Sequence, residues 1–167
     1  MNHTFRIERD SLGELPVPAK ALHGIHTQRA LENFPLAGRA VHPELARAFG
    51  AVKLACTRTN RALGLWADDP AKADAIERAC AELAEGKLVQ HIVVDALQGG
   101  AGTSTNLNVN EVLANRANEL LGAGLGAKSP VHPNDHVNCS QSTNDAYPTS
   151  IKLGVWFTLR DTLTALR

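Results

Sequence analysis

The sequence predicts a mainly α-helical protein with a short extended arm or β-hairpin at its start. Three observations carry that expectation. Apolar residues recur at three- and four-residue steps in four separate stretches; glycines and an Asp-Pro pair stand where helices would stop and start; and residues 4–18 alternate weakly around Gly13, Pro16 and Pro18.

The segment from there to Phe34 has no clean period. After Pro43, Leu45, Phe49, Val52, Cys56, Thr59 and Leu63 form one apolar face, which we read as core, and Gly64 is placed to end the helix. Asp69 and Pro70 supply an N-cap and a first-turn residue for the next helix, whose stripe is Ala73, Ile76, Cys80 and Leu83 and whose stop is Gly86. On these stripes Cys56 and Cys80 read as small buried hydrophobes. Ile92–Leu97 is compatible with a strand. Val109, Val112, Leu113, Ala117, Leu120 and Leu121 define a helix closed by Gly122, with Asn108, Asn115 and Arg116 on its polar edge. Residues 122–130 read as a flexible Gly/Ala loop. Pro148-Thr149 opens a final pattern, Ile151, Val155, Leu159 and Leu163, still running at Arg167 and expected to leave an apolar stripe open for self-association.

Composition narrows the function classes. Seventeen basic residues balance seventeen acidic ones, and no Lys/Arg cluster stands out, so neither nucleic acid nor a membrane surface is an expected partner. The charged amino terminus lacks the apolar core of a secretory signal, which makes a cytoplasmic location the default expectation. Three well-separated cysteines suggest neither a disulfide framework nor a zinc ribbon. The glycosylation-like Asn2-His-Thr4 and Asn138-Cys-Ser140 are then coincidences.

Two polar runs hold the chemistry. In the first, Gly99, Gly100 and Gly102 allow positive φ and close backbone approach, and Thr103, Ser104, Thr105 and Asn106 follow as short donors suited to an oxyanion. The second, 132–149, again concentrates hydroxyls and amides where a core segment would carry aliphatics. A dinucleotide fingerprint fits the first run poorly, since Thr105 replaces the third glycine and no repeated βαβ pattern surrounds it; no Gly-Lys-Ser/Thr phosphate loop occurs. His132 and His136 stand four apart beside Asp135, but Pro133 argues against a helix through them and no glutamate completes a zinc motif, so we expect no metal site.

Gly-Gly-Ala-Gly-Thr-Ser at 99–104, Asn-Glu-Val-Leu-Ala-Asn at 110–115 and His-Pro-Asn-Asp-His-Val-Asn with Ser-Gln-Ser-Thr-Asn-Asp across 132–145 resemble the aspartase/fumarase superfamily. Gly24 to Phe34 and Arg6 to Asp10 match its amino-terminal region, so the likeness covers almost the whole chain. Within the superfamily the aspartate ammonia-lyase branch is most similar, because fumarases more often read Thr-Gly-Ser-Gly-Thr-Gln and Ser-Ser-Asn. Gln28 leans toward the class II fumarate hydratase branch, the alternative. Leu107 replaces a common methionine, a volume-conserving exchange.

The resemblance implies that residues 1–147 form the amino-terminal helical domain and 148–167 begin the first helix of a central bundle, so the chain reads as the amino-terminal part of a longer protein. It implies elimination of ammonia from L-aspartate to give fumarate without a cofactor, in a homotetramer whose sites draw on three subunits. Thr103, Ser142 and Thr143 would hold the carboxylate that becomes dianionic, and Asn144 would orient the amino group. Ser104, Arg29, His132, Asn134 and Asp135 would support this site or form a secondary anion site. The general-base serine of the family lies in a later Gly-Ser-Ser-x-Met-Pro segment absent from these residues, so no catalytic residue is assigned and the chain alone is expected to be inactive. From a different class comes a non-catalytic module that binds a small dicarboxylate or docks onto a partner.

Overall fold

The computed structural model describes residues 5–166. Strands β1 (Phe5–Asp10) and β2 (Gly13–Pro18) pair antiparallel from Phe5↔Pro18 to Asp10↔Gly13, giving the expected hairpin. Among the described residues five helices follow: α1 (Ile25–Asn33), α2 (Pro43–Ala62), α3 (Pro70–Ala84), α4 (Thr103–Leu120) and α5 (Thr143–Ala165). A 3-10 turn at Val89–His91 and a π-turn at Pro133–Val137 lie between them. No helix among the described residues is long and apolar enough to cross a membrane.

The core lies where α2, α3 and α4 meet. Phe49, Ile76, Cys80, Leu83, Val109, Val112 and Leu113 are fully buried there, and Val131, Val137 and Ala146 close it from later segments. Gly50 lets α2 touch α3, since a Cβ at that position would run into the backbone of Leu83 and Ala84. The punctuation expected from sequence is observed: Asp69 accepts from the Lys72 amide at 3.1 Å, and Gly64, Gly86 and Gly122 take positive φ just beyond their helices.

Four expectations need correction. The inner face of α2 is rotated from the apolar stripe: Lys53, Thr57 and Asn60 are buried with Phe49, whereas Leu63 is 75% exposed, Thr59 is exposed and Cys56 only half-buried. The asparagines assigned to a polar edge of α4 instead face inward, with Asn108 and Asn115 both buried. Ile92–Leu97 is no strand beyond one isolated bridge from Asp95 to Ala40. There the Asp95 carboxylate takes the amides of Leu97, Ala37 and Gly38 at 2.7–2.8 Å, and a turn satisfies the groups that a ladder would have used. Finally, α5 starts at Thr143, five residues before Pro148, which sits inside the helix. Ser142 caps it by accepting from the Asn144 amide at 3.1 Å, and the helix runs on through Pro148 with the loss of one backbone bond.

α1 was not legible from periodicity because its start is held from outside. Gly24 offers no capping side chain. Instead the Glu111 carboxylate of α4 accepts from the amides of Gly24, His26 and Thr27 at 2.8, 2.9 and 3.1 Å, and from the Thr27 hydroxyl at 2.6 Å. Arg6 shapes the turn before it, donating to the carbonyls of Pro18, Ala19, Ala21 and His23.

Candidate functional site

The two polar runs form the amino-terminal ends of α4 and α5, and those ends touch. In the first, Gly100 and Gly102 take φ of +82° and +84°, folding the glycine bend back onto its helix. Gln98 secures the bend: its Oε1 accepts from the Thr105 amide at 2.9 Å, while Nε2 donates to the Thr105 hydroxyl and to the Asp95 carbonyl. Thr103 is thereby exposed as the first residue of α4, with Ser104 half-buried behind it. Gly102 caps α4 without a side chain, and a Cβ there would collide with the Tyr147 ring of α5.

On the other side, Ser142 and Asn144 are exposed and Thr143 is half-buried. The Ser142 oxygen accepts from Asn144, which leaves its hydroxyl hydrogen available for an anion. Asn106, one turn into α4, donates to the Thr143 hydroxyl oxygen at 3.0 Å and to Asn138 Oδ1 at 3.1 Å. Two helix starts side by side concentrate backbone N–H groups and the positive ends of two helix dipoles, which favours a bound carboxylate.

The other candidates lie elsewhere. His132, Asn134 and Asp135 sit on the π-turn, where His132 Nδ1 accepts from the Asp135 amide at 3.2 Å and His136 Nδ1 accepts from the His132 amide at 2.7 Å. The two imidazoles thus act as caps, which is what their four-residue spacing serves here. Arg29 grips Asp10 of the hairpin through two bonds of 2.8 Å and also donates to the Gly13 carbonyl. None of its described contacts reaches Thr103 or Thr143. Among the described residues no group of three or more His, Cys, Asp or Glu side chains is gathered as a metal ion would need.

Sequence reasoning missed the layer beneath. Asn138 Oδ1 accepts from Asn106, from Asn110 at 3.3 Å and from Lys53 Nζ at 3.0 Å. Lys53 is fully buried, and burial pulls its pKa down to about 8. Behind it, burial pushes the Cys80 thiol up to about 12, so that side chain stays a neutral packing group. The available signal was a lysine four residues after Phe49, on the face it shares with Leu45 and Phe49, and the matching four-residue step from Asn106 to Asn110.

A family model described as "Lyase" matches residues 13–167. Among curated proteins, an aspartate ammonia-lyase of a Bacillus species is 48% identical over 93% of this chain and 33% of its own length. The mitochondrial fumarate hydratase of Rhizopus oryzae is 50% identical over 88% of this chain and 30% of its own. The class II fumarate hydratase of Halobacterium salinarum is 51% identical over 90% and 32%, so the chain spans about a third of the length of these relatives. Among solved structures, a Brucella melitensis protein described as fumarate lyase:delta crystallin superposes with a TM-score of 0.92 at 47% identity, over 98% of this chain and 38% of that one. A class II fumarase of Schistosoma mansoni gives 0.86 at 34% identity, over 93% and 33%.

Proposed function

The chain belongs to the lyase family of the aspartase/fumarase superfamily, and from that footing we propose that it is the amino-terminal part of an aspartate ammonia-lyase, working as a homotetramer in the cytoplasm. The observation that carries this reading is the pairing of Gly-Ala-Gly-Thr103-Ser with Ser142-Thr-Asn144 at two abutting helix starts.

Elimination removes a weakly acidic proton from the carbon beside one carboxylate of aspartate. As it leaves, that carboxylate gathers a second negative charge, and donors fixed in advance stabilise the resulting enediolate most. Thr103, Ser142 and Thr143 supply neutral hydroxyls for it, and the two helix starts supply a positive field that needs no reorganisation. Asn144 orients the ammonium; as the enediolate re-forms the carboxylate and the carbon–carbon double bond, the C–N bond breaks and its electron pair leaves with ammonia. We assign no general base within residues 1–167, so the chain on its own is proposed to be inactive.

The second reading is fumarate hydratase, favoured by Gln28 and by relatives of that activity at similar identity. Expressing the uninterrupted reading frame that contains this chain and following fumarate absorbance with L-aspartate or L-malate separates the two. Fumarate from aspartate alone supports the proposal; fumarate from malate alone replaces it with the alternative. If neither substrate reacts but calorimetry detects submillimolar succinate binding, the chain is a dicarboxylate-binding module.

A further inference from the structure

Lys53 is among the largest fully buried side chains of the protein, and its ammonium rests on one amide oxygen, that of Asn138, at 3.0 Å. Among the described residues it forms no ion pair. The titratable groups that face it are Cys80 from α3 and Cys56 on its own helix, thiols that burial keeps neutral. Asn138 Oδ1 receives two further donors, Asn106 and Asn110, so a single carbonyl serves three groups and cannot fully satisfy the cation. The Asn106 amide that shares this oxygen also donates to the Thr143 hydroxyl. Links of 3.0, 3.1 and 3.0 Å therefore join the buried charge to the surface of the cradle, which keeps it within ~10 Å, a Debye length at 0.1 M salt.

A buried cation without a carboxylate is costly in a ligand-free protein and is relieved when an anion arrives nearby. We propose that Lys53 is a positioning residue of the dicarboxylate site: through Asn138 it fixes Asn106 and Thr143, and its uncompensated charge draws the doubly negative ligand to the two helix starts. This inference rests on the reading of those starts as a dicarboxylate cradle. With burial holding its pKa at about 8, Lys53 is partly neutral at pH 8, and a bound dianion recharges it.

The test is calorimetric titration of succinate into the full-length gene product at pH 8, in two buffers of different ionisation enthalpy. Binding should take up as much as about half a proton per site, falling toward zero near pH 6.5, where Lys53 is already charged. In Asn138→Asp the new carboxylate keeps Lys53 charged and partly cancels it, so proton uptake should vanish and affinity should drop about tenfold or more. Lys53→Met should raise KM by about tenfold, from lost attraction for the dianion, and lower kcat by roughly tenfold, because Thr143 loses the support that positions it. If Lys53→Met does not fold, the wild-type and Asn138→Asp titrations decide alone. Succinate binding without proton uptake, or with uptake unchanged in Asn138→Asp, overturns the role of Lys53. Absence of succinate binding by the wild type overturns the cradle itself.

Discussion

The amide of Asn106 donates to the Thr143 hydroxyl oxygen across 3.0 Å, joining the first turn of α4 to the first residue of α5. Thr143 thus keeps its own hydrogen for a ligand while its oxygen is held from behind. On the proposed aspartate ammonia-lyase reading, Thr143→Val or Ser142→Ala in the protein that contains this chain should lower kcat on aspartate by about a hundred- to a thousandfold, the usual cost of one donor to a developing oxyanion. Steady-state fumarate formation measures this. A loss under about threefold would take the residue out of the site.

Gly102 is placed so that α4 and α5 can meet at all. Gly102→Ala faces both a left-handed φ of +84° and the Tyr147 ring, and should destabilise by at least about 2 kcal/mol, or roughly 4–8 °C in Tm. Gly122→Ala has a similar φ of +76° but open space around it, so it should cost about half as much. Equal melting temperatures for the two variants would show that the contact with Tyr147 is unimportant.

Asp10 links stability to pH. The hydrogen bonds from Arg29, opposed by burial and aided by the Leu12 amide, hold its pKa at about 2 against an ordinary 3.8. A lowered carboxyl pKa contributes stability that is complete above about pH 4 and lost as pH falls through 2. Asp10→Asn should cost about 1–2 kcal/mol near neutrality and flatten this part of the acid limb. Denaturant midpoints at pH 2, 4 and 7 test it; identical shifts at all three would contradict the linkage.

Glu111 replaces the missing cap of α1. Glu111→Gln turns an amide donor toward backbone donors and should destabilise by about 3 kcal/mol, with loss of exchange protection concentrated in residues 24–33. Uniform loss across all helices would mean that the carboxylate serves the whole core rather than α1.

The outer face of α5 presents Ile151, Val155, Leu159 and Leu163, each 40–52% exposed, as the sequence periodicity implies. The chain on its own should therefore self-associate, and Val155→Lys with Leu159→Lys should return it to monomer in sedimentation at micromolar concentration. Monomer behaviour of the unmodified chain would count against that surface.

Helix positions and stops were largely readable because local chemistry determines them: Asp69-Pro70 starts α3 and Gly64, Gly86 and Gly122 end three helices. The candidate donors Thr103, Ser142 and Thr143 were readable as a pattern of small polar residues beside glycine. What could not be read was long-range. Glu111 caps a helix 84–87 positions earlier in the chain, and Lys53 finds its partner 85 residues away. Periodicity treats such residues as a solvated edge, since no local rule marks an inward polar side chain whose partner lies in a distant loop.

The buried asparagines of α4 turn that helix into a spindle on which irregular segments are wound. Asn108 takes the amides of Val93 and Val94, Asn115 that of Gly126, and Asn118 both the amide and the carbonyl of Val131. The stretches around 93 and from 126 to 131 consequently borrow their order from a rigid rod rather than from neighbours in sequence, including the segment that looked flexible on composition. The amides of Val93, Val94, Gly126 and Val131 should exchange with solvent as slowly as those of α4, and they should come loose only when the spindle itself unwinds.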